Sequence, residues 1–428
     1  MQVPDSFAAR ARRVTGPVAL GITLIAAGCD PATTPMPDAA MPTLDAAVPT
    51  PDSAVPMPDA ATPMPDAATP APDAFMPAPD AAPPPDAAMP PMLSPTERAI
   101  LATLSPLPAL PPDPTNARAD DPAAARLGQR LFFDDRYSGA LTVASDLGAV
   151  GDTGRVSCAS CHGSPSMSDD RSDPPTVSVG TGTHFRSAPS IVDSARYRWT
   201  NWGGRFAAQW ELPPIVAENP TTMNSTRLQV VHHLYDHYRT EYEAVFGPMD
   251  PAIADLARFP ARGKPKATGA PDGPWELMTA EDRATANRVF VNFGKPIQAH
   301  QRQLLSSEAP FDRFAAGDET ALSESAIRGY QVFVGEGRCV TCHFGPTFSD
   351  DEFHNLGVAP LPGAMFVDDG RFRDIPGLLS ATLGGNGTFS DDAMVGTARL
   401  AGVTSPPPES TRGTFRTPTL RGLAYSAP

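Results

Sequence analysis

Two five-residue stretches carry the residue types of a covalent cofactor site: Cys158-Ala159-Ser160-Cys161-His162 and Cys339-Val340-Thr341-Cys342-His343. In C-x-x-C-H, two thiols three positions apart on one helical turn reach the two vinyl groups of one haem. The adjoining imidazole reaches the iron from the same side. Paired cysteines have two rival uses, a tetrahedral zinc ion shared by both pairs and disulfides. Zinc is disfavoured because 181 residues separate Cys158 from Cys339 and a His follows each pair directly. The motifs use four of the five cysteines, and only Cys29 is left over.

Helical signals lead into both motifs. Ser94-Pro95-Thr96-Glu97 offers an N-cap, a proline in the first turn and a returning carboxylate ahead of Ile100, Leu101 and Leu104. The Pro-rich stretch from Ser105 to Pro114 ends that helix, and a second pattern runs from Pro122 through Leu127, Leu131 and Phe132. A long signal starts at Thr279 and continues through Val289, Phe290, Phe293 and Ile297 to Leu305, with Pro296 expected to bend it. Another runs from Ser323 through Ile327, Tyr330 and Val332 toward the second motif. Strand alternation is scarce. The expected fold is mainly α, with long loops and two haem lobes meeting at a shared interface.

The first ninety residues read differently. Arg10, Arg12 and Arg13 precede an apolar run from Val14 to Gly28 that ends in Ala26-Ala27-Gly28-Cys29, the pattern of an export signal. Small residues before a single Cys fit lipidation of Cys29, which would tether the folded part by an N-terminal lipid on the periplasmic or cell-envelope side. The alternative is a short uncleaved anchor, although the run is below the ~20 residues a spanning helix needs. From Asp30 to about Pro91, Asp38, Asp45, Asp52, Asp59, Asp66, Asp73 and Asp80 recur every seven residues amid Pro and Ala. Frequent Pro excludes a coiled coil, so this is expected to be a disordered Pro/Asp/Ala-rich linker. Nine units of the formal net charge of −15 sit in this stretch. No acidic active face follows, and no basic patch supports nucleic-acid binding. The expected division is export signal 1–29, linker 30–93, first haem domain 94–310 and second haem domain 311–428.

Leu127-Gly128-Gln129-Arg130-Leu131-Phe132-Phe133-Asp134-Asp135-Arg136 before the first motif is followed by Arg186-Ser187-Ala188-Pro189-Ser190, Trp202-Gly203-Gly204-Arg205 and Phe311-Asp312-Arg313-Phe314. After the second motif come Phe353-His354-Asn355-Leu356-Gly357 and Phe415-Arg416-Thr417-Pro418-Thr419-Leu420-Arg421. In this order they resemble the bacterial di-haem cytochrome c peroxidase family, which includes a relative that oxidises a partner protein. The resemblance covers roughly Ser94 to Pro428. It implies two cytochrome c-like lobes, two covalently bound haem c groups, and peroxidase-like reduction of hydrogen peroxide at the first haem. Electrons would arrive through the second from a small donor protein, a cytochrome c or a copper protein. It further implies His162 and His343 as iron ligands, Trp202 as an electron relay between the haems, and a homodimer.

Several positions depart from the family pattern. The family's distal acid, a Glu directly before Met, is matched by Thr222 before Met223, and a hydroxyl does not replace a carboxylate as a proton shuttle. Glu218 lies four residues earlier. Thr181 stands where some members place a capping His, and His184, three residues on, is the candidate distal ligand or base. Asp193 occupies a position that helps bind calcium in some members, so calcium is an expected second cofactor. At its C-terminus the chain stops where the family continues toward the second haem's distal ligand, which implies an incomplete second site; Met394, read as a loop residue, is a weak substitute. Two alternatives to the peroxidase reading stay open: an electron-transfer protein without turnover, and an oxidase of a protein or organic substrate.

Overall fold

The computed structural model describes residues 92–163, 166–169, 177–306, 309–360 and 366–425. The export signal, Cys29, the linker up to residue 91 and Ser426-Ala427-Pro428 lie outside the described residues. All described residues fall in one compact unit, Ala82–Pro428. Their α-helices are α1 (Pro95–Leu104), α2 (Pro122–Phe133), α3 (Leu212–Glu218), α4 (Arg227–His237), α5 (Arg239–Phe246), α6 (Pro274–Leu277), α7 (Ala280–Gln301), α8 (Pro310–Ala315), α9 (Glu324–Val334), α10 (Arg371–Leu379) and α11 (Ala393–Arg399). Two short strands, β1 (Phe353–His354) and β2 (Phe415–Arg416), pair antiparallel with Phe353 opposite Arg416. The mainly helical expectation holds. None of the described helices is long and apolar enough to cross a membrane.

Local chemistry sets the helix starts. The Ser94 hydroxyl accepts from the Glu97 amide while the Glu97 carboxylate accepts from the Ser94 amide, a complete capping box. Asp121 caps α2 at Ala123 and Ala124, and Thr279 caps α7 at Asp282. The α7 helix stops at Gln301, short of the expected Leu305, because the chain turns there so that the Leu304 carbonyl accepts the Asp193 amide at 2.9 Å.

The main core is α7 with α2, α3 and α4 around it, filled by Leu127, Leu131, Phe132, Trp210, Leu228, Phe290, Phe293 and Ile297. Each such side chain contributes about 1.5–3 kcal/mol on burial. Close backbone approach at two glycines fixes the packing. A Cβ on Gly128 would lie 1.7 Å from the Pro296 carbonyl oxygen, and one on Gly294 would lie 2.1 Å from that of Trp210. Pro296 has no N–H to continue the helical ladder, and its neighbour Lys295 has a carbonyl that accepts from Asn116 at 3.1 Å.

A smaller core joins Leu101 and Leu104 of α1 to Phe314 of α8 and Ile327 and Tyr330 of α9. Helix α1 thus precedes the first motif in sequence and packs with helices that lead into the second. The Tyr330 hydroxyl donates to the Glu97 carbonyl at 2.6 Å, and Arg421 pairs with Asp312 of α8 at 2.9 Å. Elsewhere, Arg186 meets Asp374 of α10 at 2.7 Å and Asp368 at 2.6 Å.

Candidate functional site

Both C-x-x-C-H motifs fold into the same object, a single 3-10 turn at Cys158–Ser160 and at Cys339–Thr341. In each the His amide donates to the first Cys carbonyl, at 3.0 Å for His162 and 2.9 Å for His343. The ring Nδ1 lies 3.1 Å from the Met167 carbonyl in the first and 2.9 Å from the Phe348 carbonyl in the second. A carbonyl only accepts, so the proton resides on Nδ1 and Nε2 keeps its lone pair. That is the tautomer a metal-ligating imidazole requires. Burial lowers the basicity of His162, which holds the ring neutral. None of these four cysteines is in a disulfide, and among the described residues they do not gather into one metal-sized cluster. One shared zinc ion therefore has no place.

Cys158, Cys161 and His162 open onto a cavity of about 1220 Å³, its mouth included. Ile297 and Gln301 of α7 line it, and the Phe132 ring of α2 sits 6.5 Å from that of His162. Two buried polar atoms of the lining, Arg416 Nε and Gln209 Oε1, have no hydrogen-bond partner among the described residues. An unpaired guanidinium N–H on the wall suits a carboxylate, and a haem carries two as propionates. The thiols, the imidazole and Arg416 together fit a covalently bound haem. The second turn lies nearer the surface, with Cys339 exposed and Cys342 and His343 partly buried.

Thr222 and Met223 line the first cavity. The Thr222 hydroxyl donates to the Val216 carbonyl at 2.5 Å, so its proton is committed to the end of α3. Glu218 does not line the cavity; it pairs with Arg227 at 3.1 Å, as a structural carboxylate does. Thr181 is fully buried and donates to the Pro220 carbonyl at 2.8 Å. Among the described residues no carboxylate lines the cavity.

His184 does line it. Its Nδ1 lies between the Arg186 amide at 3.1 Å, from which it accepts in one tautomer, and the Arg186 carbonyl at 3.0 Å, to which it donates in the other, and the ring stacks on Phe185 at 4.5 Å. Burial, with Arg186, Arg205 and Arg373 nearby, lowers its basicity and keeps it neutral.

Trp202 is half-buried outside the cavity lining. Its indole N–H donates to the carbonyl of Ser187, a lining residue, at 2.7 Å, and its own carbonyl accepts from the amide of Arg416 on β2 at 2.8 Å. The indole therefore joins the cavity wall to the strand that pairs with β1. Glycine makes this loop possible. A Cβ on Gly203 would lie 2.0 Å from Asp374 Oδ2, and one on Gly204, at φ +67°, would meet Arg371 and Phe353 at 2.4 Å.

Two residues singled out in the sequence have surroundings that do not support a metal-binding role. The Asp193 carboxylate is fully buried against cationic Arg196 at 3.2 Å and the Ser306 hydroxyl at 2.5 Å, so a guanidinium already neutralises the oxygens expected to hold calcium. Met394 lies on α11 and is 83% exposed, with no haem motif around it. The remaining histidines have structural partners where the structure gives them: His233 bonds Asp134 and His354 bonds Asp350, both at 2.8 Å.

A family model described as di-haem cytochrome c peroxidase, CCP_MauG, matches residues 122–320. The cytochrome-c peroxidase IdrP1 of Pseudomonas sp. (strain SCT) is 30% identical over 330 residues, covering 76% of this chain and 72% of that protein. The chain belongs to the di-haem cytochrome c peroxidase family. IdrP1 of Denitromonas iodatirespirans is 32% identical over 270 residues, which cover 61% of this chain and 57% of that protein. The chain thus spans a little over half of that relative. A single-residue variant of the diheme peroxidase BthA from Burkholderia thailandensis E264 shares the fold, with a TM-score of 0.50 at 17% identity over 72% of this chain and 67% of that one. Family membership implies haem c as the cofactor and an oxidoreductase.

Sequence reasoning had quoted Arg416 only as part of a motif. Gln209, Gln301 and Trp199, which also line the cavity, gave no signal because nothing in their local spacing marks them.

Proposed function

We propose that this member of the family reduces hydrogen peroxide at the cavity beside His162, with electrons entering from a small donor protein through the haem at His343. The haems are attached at Cys158 and Cys161 and at Cys339 and Cys342, in lobes that divide near residue 310, and the Cys29 lipid tethers the protein in the cell envelope. One observation carries the reading: the cavity onto which His162 opens, with its Nε2 ready to bind a metal, is also lined by a second imidazole, His184. A bound haem supplies the electrons that cleave the peroxide bond.

The chain's own groups do the rest. His162, oriented by the Met167 carbonyl, would bind the haem iron, and Arg416 Nε would hold a haem carboxylate. His184 replaces the missing acid: in the tautomer whose Nδ1 accepts from the Arg186 amide, Nε2 carries the proton that it gives to a leaving oxygen. Thr222 shapes the wall without moving a proton. Trp202 bridges the cavity wall and β2, and its bond to Ser187 supports a relay role.

Peroxide reduction by a reduced small cytochrome, followed with the haem-loaded protein, tests this. His184→Gln is expected to slow turnover by roughly 10²-fold or more, and Thr222→Glu in that background to restore part of it. Unchanged turnover in His184→Gln would remove the imidazole from the mechanism. No turnover in the wild-type protein would leave electron transfer without catalysis, a reading that the lack of a lining carboxylate among the described residues favours.

A further inference from the structure

Two tryptophans stand near the first cavity, and the one that lines it is Trp199. It is 4% exposed and makes an edge contact at 6.4 Å with Phe353 of β1, eleven residues beyond Cys342. On position alone Trp199 is the better conductor, and also the first side chain at risk when an oxidant forms in the cavity.

Two guanidiniums lie over its ring. Arg371 Cζ is 4.5 Å from the Trp199 centroid and 3.9 Å from that of Phe353, and Arg198 Cζ is 4.8 Å from the Trp199 centroid. Arg371 is buried; among the described residues its guanidinium donates to the neutral carbonyls of Gly203 and Gly204, at 3.2 and 3.4 Å, and Glu352 acts on it through space without a hydrogen bond. Its closest acid on the same helix, Asp374, is committed to Arg186. Arg198 donates to the Arg399 carbonyl. Asp351 faces the same region, but it accepts from the Arg198 amide and pairs with Arg416 at 3.3 Å. Trp202 differs: among the described residues no cation lies over its ring, and its N–H rests on the Ser187 carbonyl, which stabilises positive charge on the indole.

A cation over a neutral indole is attracted by the ring quadrupole. Remove one electron from the ring and the same contact becomes a repulsion between two unit charges in a partly buried setting. We infer that Arg371 and Arg198 protect Trp199 from oxidation and thereby direct electron traffic to Trp202. The peroxide arm of the test rests on the proposed peroxide chemistry; the other arm does not. In the damaging reaction that the two arginines suppress, the indole gains one oxygen atom and one hydrogen peroxide becomes one water.

The haem-loaded protein is given hydrogen peroxide with no electron donor, and separately azide radicals from pulse radiolysis, which need no turnover. In the second arm two azide radicals each take one electron, water supplies the oxygen, and two protons leave. Peptide mass spectrometry then reads oxygen adducts at each tryptophan. In wild type, adducts are expected on Trp202 over Trp199. Arg371→Met is expected to raise the Trp199 adduct by roughly tenfold or more, with Arg371→Lys restoring protection in part. The exposed Arg198→Met, which leaves the core intact, is expected to raise it less. Equal adducts on both tryptophans in wild type, or no rise at Trp199 in either variant with azide radicals, would overturn the inference. A null peroxide arm beside a positive azide arm would instead count against the peroxidase reading alone.

Discussion

Glu211 sits in the turn before α3, 6% exposed, with one carboxylate oxygen accepting from the Gly385 amide at 2.8 Å and the Ala208 amide at 3.1 Å. Burial pushes its pKa up to about 7 from 4.5, against the pull of those two amides and of Arg399. A carboxyl raised in the folded state binds its proton more tightly there than when unfolded. Its contribution is therefore complete below the unfolded value and is lost as pH rises through about 7. At 1.36 kcal/mol per unit, the loss approaches about 3 kcal/mol by about pH 8 and is about 1 kcal/mol at about pH 5. Glu211→Gln keeps an oxygen for both amides and cannot ionise. Urea unfolding of the haem-loaded protein should find the variant more stable by about 3 kcal/mol at about pH 8, with a much smaller difference at about pH 5. A stability difference that does not change between the two pH values would show that folding does not raise the Glu211 pKa, and the reasoning would fail.

Two further predictions concern the packing around the sites. Gly128→Ala should cost about 3 kcal/mol or more in urea unfolding, because the added Cβ meets the Pro296 backbone oxygen and neither backbone can yield. A near-neutral result would mean that α2 and α7 are not in contact. Asp312 is the second: burial raises its pKa, but the Arg421 guanidinium, the Ala309 amide and the Ser105 hydroxyl outweigh it and hold the group at about 2, below its ordinary 3.8. A depressed carboxyl stabilises above its unfolded value and loses that as pH falls, so Asp312→Asn should be about 2 kcal/mol less stable at neutral pH and equal to wild type at about pH 2. An undiminished difference in acid would refute the ion-pair account.

Much of this was legible beforehand. The helix starts at Ser94, Asp121, Thr279 and Ser323 follow from capping chemistry, which acts over three or four residues. Helices α3, α4 and α5 were not foreseen. The first has only seven residues with two prolines, and α4 carries His232, His233 and His237, whose partners Phe259 and Asp134 come from elsewhere in the chain. Short helices form because tertiary packing supports them, and a local pattern does not carry that information.

The sequence alone determined the two attachment turns. Spacing within five residues sets which thiols and which imidazole share a turn, and the order of short motifs along the chain sets the family. The tertiary structure decided what surrounds those turns. It put His184 on the wall of the His162 cavity and turned the Thr222 hydroxyl away into α3. It spent Asp193 on Arg196, and it brought Arg371 from the far side of the second motif over Trp199. The longest of those contacts, Arg371 over Trp199, joins residues 172 positions apart. Their energies depend on burial and on which charge arrives first, and neither is written in local spacing.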